Sequence, residues 1–322
     1  FRSPATKEAA PGWKERKEKH MAIKSVIKKV CPYCHTESPF YFHSKDYNRV
    51  ITQEIFDHYR CPQCGLIFIM PVPVNLADYY PESYHFVPES SEYLEEGSKP
   101  ERYKIEIVQD FIENGRLLEI GPAYGSFTYL AKKAGFEVEA IEMNPRCCQF
   151  LNKVVGVNAI NSDDPIATLG QMKPYDVIAL WHVIEHLPDP WPTLNAICTS
   201  LKPGGIVVLA TPNPSSFQFN IMGYRWPHVD APRHLILIPM KLLAERLEAL
   251  GMKAELITTT DPGSIGWNTF GWEFFFANLS SQLYFKKILR WIGRSISLLF
   301  SPIESIEGKG SAYTMVFRKN LK

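Results

Sequence analysis

An α/β protein with a doubly wound sheet, preceded by a small cysteine-bounded ribbon, is predicted by three observations in this 322-residue chain. Strand-like apolar runs alternate with helix-like runs from about residue 115 through Leu209, as a parallel sheet with crossover helices requires. One of those strands, Leu117-Leu118-Glu119-Ile120, runs directly into a glycine-flanked turn, Gly121-Pro122-Ala123-Tyr124-Gly125. Two Cys-x-x-Cys pairs stand ahead of the alternating region.

Cys31-Pro32-Tyr33-Cys34 and Cys61-Pro62-Gln63-Cys64 are separated by 26 residues, a pattern that suits a tetrahedral Zn²⁺ site of four thiolates. Disulfides are the competing reading, disfavoured by the odd total of seven cysteines and by the lack of a secretory signal. Four thiolates leave no open coordination position, so the ribbon, expected over residues 21–74, reads as a structural clip. Cys147, Cys148 and Cys198 fall on helical patterns and read as small buried apolar residues. Residues 1–20 hold six basic and three acidic residues with no apolar periodicity, and are expected to be an added leader, with Met21 a plausible native start. Without them the net charge of +1 becomes −2, which argues against a nucleic-acid partner. No apolar run approaches the roughly 20 residues needed to span a bilayer, and a cytoplasmic protein is expected.

Residues 75–114 are expected to form a helical lid and linker. Asn75 to Tyr84 predicts a short helix with a tyrosine cluster, Glu89 to Pro100 a mobile polar connection, and Glu101 to Asn114 an amphipathic helix with Tyr103, Ile107, Val108, Phe111 and Ile112 apolar. The first core strand follows, and Gly121 and Gly125 let its backbone turn tightly and approach a ligand without interference from Cβ. Phe127 to Ala134 reads as a helix closed by Gly135. The next strand, Glu137 to Ile141, delivers Glu142, a carboxylate placed to accept hydrogen bonds from ribose hydroxyls. A pyrophosphate-binding turn prefers G-x-G-x-x-G, whereas this one is G-x-x-x-G and offers no phosphate-binding Lys or Arg. The spacing favours S-adenosylmethionine over a nicotinamide dinucleotide.

Tyr175-Asp176-Val177-Ile178-Ala179-Leu180-Trp181-His182-Val183-Ile184-Glu185-His186 and Leu201-Lys202-Pro203-Gly204-Gly205 through Asn213 complete a set of four motifs in order. With the turn and Glu142, they resemble the class I S-adenosylmethionine-dependent methyltransferases over roughly residues 105–260 and the final strand. The resemblance implies a seven-stranded Rossmann-like sheet with an antiparallel last strand, its core over residues 115–262 and its final strand over 311–322. It implies that Glu119 and the turn (Gly121, Pro122, Ala123, Tyr124, Gly125, with Phe127 behind it) meet the methionine part of the cofactor. Glu142 would take the ribose, Met143 and Asp163 the adenine, and Trp181 and His182 the floor of the cleft. Tyr80 and Tyr84 stand as lid residues, since upstream segments cover the cofactor in such enzymes; packing against the ribbon is the other reading. Tyr59 through Pro73 is similar to the ribbon ahead of the catalytic domain in many bacterial sugar and cell-surface polysaccharide methyltransferases.

Met240 to Leu250 predicts a helix, and Lys253 to Thr259 and Ser311 to Lys319 the last two strands. Between them, residues 263–310 form an apolar insertion. Within it Phe285, Ile288, Leu289, Ile292, Ile296 and Leu299 recur at helical spacing while Lys286, Arg290 and Arg294 share another face. Such a helix over 283–300 suits either an anionic membrane surface, for a peripheral place at the inner membrane face, or a substrate lid or dimer contact.

A hydroxyl acceptor needs its proton taken up by a group of near-neutral pKa, so His182, His186 and His234, with Glu185, are the candidate catalytic residues. A helix starting near His182 would project His182, Glu185 and His186 from one face. These residues also make a passable metal constellation. Ubiquinone-pathway and small-RNA 2′-O-methyltransferases look similar here, but carry a glutamate where this chain has His182, a departure unfavourable to Mg²⁺. Arg233 suits a phosphate or carboxylate on the substrate, or equally Asp230. The expectation is O-methylation of a sugar hydroxyl on a nucleotide-linked, lipid-linked or polymeric glycan. A phenol- or quinone-type O-methyltransferase, an RNA methyltransferase and a non-catalytic cofactor-binding regulator are the alternatives.

Overall fold

The computed structural model describes residues 28–81, 84, 86–88 and 90–321. The expected leader, and residues 21–27 at the start of the expected ribbon, lie outside the described residues.

The N-terminal part supplies strands β1 (Lys28–Val30), β2 (Glu37–Ser44), β3 (Phe56–Arg60) and β4 (Ile67–Ile69). Helices α1 (Ser91–Gly97) and α2 (Arg102–Gln109) lead to β5 (Arg116–Ile120), α3 (Ser126–Lys133), β6 (Glu137–Glu142), α4 (Pro145–Phe150), β7 (Asn158–Asn161) and α5 (Pro165–Leu169). Then come β8 (Tyr175–Trp181), α6 (Pro190–Ser200), β9 (Leu201–Pro212), α7 (Phe217–Met222), β10 (Ile236–Leu237), α8 (Met240–Ala249) and β11 (Met252–Thr258). Helices α9 (Pro262–Ala277) and α10 (Leu283–Glu304) precede the last strand, β12 (Ala312–Lys319).

Seven strands form the main sheet in the order β11-β12-β9-β8-β5-β6-β7. Strands β5 to β9 pair parallel, and β12 runs antiparallel between β9 and β11, as expected. Successive residues of a strand face opposite sides of a sheet, and both sides are buried. Leu118, Ile178, Leu180 and Leu209 join the core cluster on one face. Leu117, Val177, Ala179 and Val208 join the cluster on the other. That is why these strands read as continuous apolar runs rather than as alternating ones. Parallel pairing of β5 with β6 and β8 brings the ends of all three, and hence Gly121, Glu142 and His182, to one edge.

The ribbon is continuous with this body. Its sheet, β1-β2-β3-β4, takes β10 as a fifth strand, with Ile236 opposite Phe68. Cys31, Tyr59, Leu66 and Phe68 share one core cluster with Ile184, Leu194 and Leu243, and the Tyr33 ring lies 4.5 Å from that of Trp191. A segment that reads as a separate unit at residues 21–74 is thus completed by a strand more than 150 residues away.

Two local expectations are corrected. Glu89 to Pro100, expected as a mobile connection, contains α1, anchored by a fully buried Leu94 among polar neighbours. The expected helix over Asn75 to Tyr84 is only a 3₁₀ turn over Leu76–Tyr79, and the one over Glu101 to Asn114 is α2, which buries Ile105 and Val108. The insertion is a helical hairpin. Asp261 caps α9 by accepting from the backbone N–H groups of Gly263 and Ser264 at 2.8 and 3.1 Å.

Candidate active site

The turn after β5 is shaped by its glycines. Gly121 (φ 70°), Ala123 (φ 53°) and Gly125 (φ 85°) all sit in the left-handed region. A Cβ on Gly121 would come within 2.7 Å of Val183 Cγ2, and one on Gly125 within 2.4 Å of Leu151 Cδ2. The turn is drawn onto Glu142, whose Oε2 accepts from Ala123 N at 2.9 Å and Oε1 from Asn144 N at 2.7 Å. With the Met143 N–H also drawn to it, the carboxylate still keeps acceptor capacity for a ribose hydroxyl. Burial raises the Glu142 carboxyl while those N–H groups oppose the shift. Met143 and Asp163 are both exposed near the ends of β6 and β7, Met143 at 57 %.

Under the turn, Glu119 is buried and accepts a hydrogen bond from Thr128. Burial pushes its carboxyl up to about 7, against the pull of Thr128 and Lys104. Phe127, predicted to back the turn, is itself buried, and its ring lies 5.4 Å from that of Trp181. Trp181 packs beside it, with the Tyr103 ring at 6.3 Å and the Lys104 ammonium 5.1 Å from its own ring. Tyr124 turns outward toward Phe86 and Tyr93. The turn, the buried carboxylate at its base and the Glu142 carboxylate beside it fit an adenosyl sulfonium ligand.

The four catalytic candidates do converge, but not from one helical face. His182 leaves β8 in a left-handed conformation (φ 57°), donating its N–H to Ala210 O at 2.9 Å, and only a 3₁₀ turn follows over Ile184–His186. The expected helix is absent because the chain bends back at His182. Glu185 is fully buried; its Oε2 accepts from Thr211 Oγ1 at 3.0 Å, and its Oε1 lies 3.5 Å from His182 Nδ1 and 4.0 Å from His234 Nε2. Burial would raise the Glu185 carboxyl, but the neighbouring imidazoles of His182, His234 and His186 hold it down at about 2, and its Oε1 makes no hydrogen bond. His186 Nδ1 donates to Arg233 O at 3.0 Å, with Tyr80 Oη also 3.0 Å away, and burial beside His234 lowers it to about 4. His234 Nδ1 donates to His228 O at 2.8 Å. Because a carbonyl can only accept, both rings carry a proton on Nδ1, which leaves Nε2 as the nitrogen that can take up a further proton.

Tyr80 and Tyr84, expected as lid residues or as packing against the ribbon, sit between the histidines and the ribbon loop that carries Arg49. Tyr80 contacts His186, the two tyrosine rings stand 4.9 Å apart, and Arg49 lies 4.7 Å over the Tyr84 ring. A cavity of about 290 Å³ opens here, walled by Trp267, Phe270 and Phe274 of α9 and rimmed by Asn48, Arg49 and Asp230. Asn48 and Arg49 carry no motif and reach the site through the loop between β2 and β3. The aromatic wall did leave a signal, since residues 267, 270 and 274 share a helical face.

Arg233 is not available to a substrate. Its guanidinium is fully buried, with Nη2 2.6 Å from Asp46 Oδ1 and 2.8 Å from Asp230 Oδ1, and Nε 2.9 Å from Asp230 Oδ2.

Two donor sets fit metal ions. In the ribbon, Sγ of Cys34 lies 3.4 Å from that of Cys61 and 3.7 Å from that of Cys64, with Cys31 3.7 Å from Cys64. The edge of a zinc–sulfur tetrahedron is about 3.8 Å. At the histidine cluster, Glu185, His186 and His234 each offer one ligand atom, all within 4.8 Å of one another, a nitrogen and oxygen set that suits a divalent transition metal.

Residues 93–256, just over half of the chain, match the family model described as "Methyltransferase domain". Among curated proteins, the ubiquinone biosynthesis O-methyltransferase of Xanthomonas campestris pv. campestris is 27 % identical over 123 residues, 35 % of this chain and 50 % of that protein. The protein of the same name from Bordetella avium is 28 % identical over 130 residues, 37 % of this chain and 54 % of that one. The chain thus spans about half the length of the curated relatives it matches. A solved S-adenosylmethionine-dependent methyltransferase from Archaeoglobus fulgidus aligns at a TM-score of 0.48 and 20 % identity, covering 71 % of this chain and 97 % of that one. With its sheet order and its family match in hand, the chain belongs to the methyltransferase-domain family, in the seven-stranded α/β form with an antiparallel last strand.

Proposed function

We propose that the protein transfers a methyl group from S-adenosylmethionine to a hydroxyl oxygen, and that the acceptor is a sugar. When bound, the cofactor supplies a methyl group already activated on a sulfonium, so the chain's tasks are to position the acceptor and take its proton. Glu185 is the group around which this reading turns. A buried, ionised carboxylate 3.5 Å from one imidazole and 4.0 Å from another stabilises a histidine that becomes cationic on accepting a proton. His182 and His234 are the two rings so placed, and His186 orients the cluster through Tyr80 and the Arg233 carbonyl.

The sugar reading is carried by the cavity, where aromatic rings of α9 face polar Asn48, Arg49 and Asp230. Apolar ring faces with a few fixed polar groups suit a hydroxyl-rich ring. The relatives' name, ubiquinone biosynthesis O-methyltransferase, favours a second reading, a small phenol- or quinone-type acceptor. The ribbon is proposed to hold a structural Zn²⁺ on Cys31, Cys34, Cys61 and Cys64. Incubation of the protein with methyl-labelled cofactor and panels of nucleotide sugars, lipid-linked glycans and catechols tests the reading. Label in a glycan supports it, and label in catechols alone overturns the sugar acceptor. Activity lost to a chelator that leaves the ribbon zinc in place, and restored by a divalent ion, would assign Glu185, His186 and His234 to a metal instead of proton transfer.

A further inference from the structure

Helix α10 is oriented opposite to a core helix. Its seam against α9 is made of Gly293, Ser297, Phe300 and Glu304; a Cβ on Gly293 would meet Trp272 O at 2.5 Å, so the two backbones nearly touch. Glu304 is buried, accepting from Trp272 Nε1 at 3.0 Å and Gln218 Nε2 at 2.8 Å. Apart from Ile296 and Phe300, which pack against the core, most of the large apolar residues of the helix face out. At 3.6 residues per turn, Leu298, Trp291, Tyr284, Ile288, Leu299 and Ile292 occupy an outward arc of about 120°. Trp291 is 71 % exposed, Leu298 73 % and Leu299 67 %. Nothing among the described residues covers them.

One edge of that arc is cationic. Lys287, Arg290 and Arg294 line a shallow cavity beside Trp291, with Glu273 as the acidic residue among its lining groups. Arg290 stacks 4.6 Å over Phe274, and Arg294 lies 3.9 Å from Glu273. A helix with an outward apolar face and cations at its edge matches a membrane interface, where acyl chains meet the first and anionic headgroups the second. A two-fold dimer with the helices antiparallel through the same face would set the cationic band near its own copy. No helix among the described residues is long and apolar enough to cross a membrane.

We infer that α10 seats the protein on an anionic bilayer, with Trp291, Leu298 and Leu299 at the acyl boundary and Lys287, Arg290 and Arg294 at the phosphate level. The placement has a consequence for the site. A second cavity of about 240 Å³, lined by Lys286, Lys287 and Arg290, shares Asn48 and Phe274 with the histidine cavity. An acceptor held at the membrane surface would reach the histidines along that route.

The test reads binding without turnover, so it fails or succeeds independently of the sugar reading. The full chain is sedimented with vesicles of phosphatidylcholine alone or mixed with phosphatidylglycerol. Binding is expected only to the mixed vesicles, weakening as salt rises, and falling about tenfold or more in Lys287→Glu/Arg294→Glu. Trp291→Ser/Leu298→Ser is expected to abolish it while circular dichroism and cofactor binding stay unchanged. Quenching of tryptophan emission by brominated lipid, absent in Trp291→Phe, would place that ring in the acyl boundary. Failure to bind mixed vesicles overturns the inference. So does binding that ignores both variants, or a dimer in solution that Trp291→Ser/Leu298→Ser dissolves while vesicles leave the chain free.

Discussion

Arg233 reaches Asp46, 187 positions earlier in the chain, and closes on it with Nη2 to Oδ1 at 2.6 Å and Nη1 to Oδ2 at 3.1 Å. Asp230 takes the other side of the same guanidinium. Asp46 in turn caps its own loop, accepting from Arg49 N and Ile51 N at 3.0 and 2.9 Å. This buried triad holds the ribbon loop carrying Asn48 and Arg49 against the segment carrying His234. Arg233→Met leaves two buried carboxylates without a counter-ion, and breaking such a pair costs about 3–5 kcal/mol. The urea midpoint should fall accordingly, and Asp46→Asn should fall less because it removes a charge without stranding another.

Glu185→Gln keeps the shape of the buried side chain and removes the charge that favours an imidazolium. We expect kcat to drop by about 10²–10⁴-fold, with cofactor affinity by calorimetry within error of the wild type. A wild-type rate in this variant would exclude the proton-transfer role.

The pH dependence of stability has two signed contributions. Burial lifts the Glu119 carboxyl from 4.5 to about 7, so the folded ligand-free chain binds its proton more tightly than the unfolded one. That contribution is complete below pH 4.5 and is lost as pH rises through 7, on the order of 3 kcal/mol. Burial instead lowers His58 and His228 from 6.5 to about 3. Here the unfolded chain binds the extra protons, so stability is full above pH 6.5 and falls below it, by up to about 1.4 kcal/mol per pH unit for each group. Thermal melts of Glu119→Gln against wild type from pH 4 to 9 should show a difference that grows in the variant's favour between pH 4.5 and 7.

The ribbon should release one Zn²⁺ per chain when its thiols are modified, detected with a colorimetric chelator. Because Tyr33 packs on Trp191 and Cys31 sits in the main core cluster, metal loss or Cys31→Ser should lower the melting temperature of the whole chain. A separate, earlier transition for the ribbon would contradict the shared core.

The parts of this protein written locally were legible from residue order. The β5 turn, Glu142 at the end of β6 and the paired cysteines each depend on a few adjacent residues, whose backbone preferences and spacing carry the signal. The last two strands were equally readable, because their apolar runs survive a 50-residue insertion between them. The histidines were legible as a set but not as a geometry: the left-handed bend at His182 replaces the expected helix, and nothing in the residue types around it announces that bend.

Sequence by itself determined the sheet, the glycine turn with Glu142 at its edge and the identity of the candidate proton acceptors, because buried parallel strands and tight turns impose periodicity and glycine on short stretches. Tertiary structure alone decided that Arg233 is a clamp rather than a substrate contact, that β10 completes the ribbon, and that Asn48 and Arg49 border the site. It also decided which side of α10 faces out. Phe285 to Leu299 is apolar on more than one side, so periodicity leaves its orientation open, and the contact of Gly293 with the α9 backbone settles it. Contacts between residues distant in the chain are chosen by packing, and packing is not encoded in any single window.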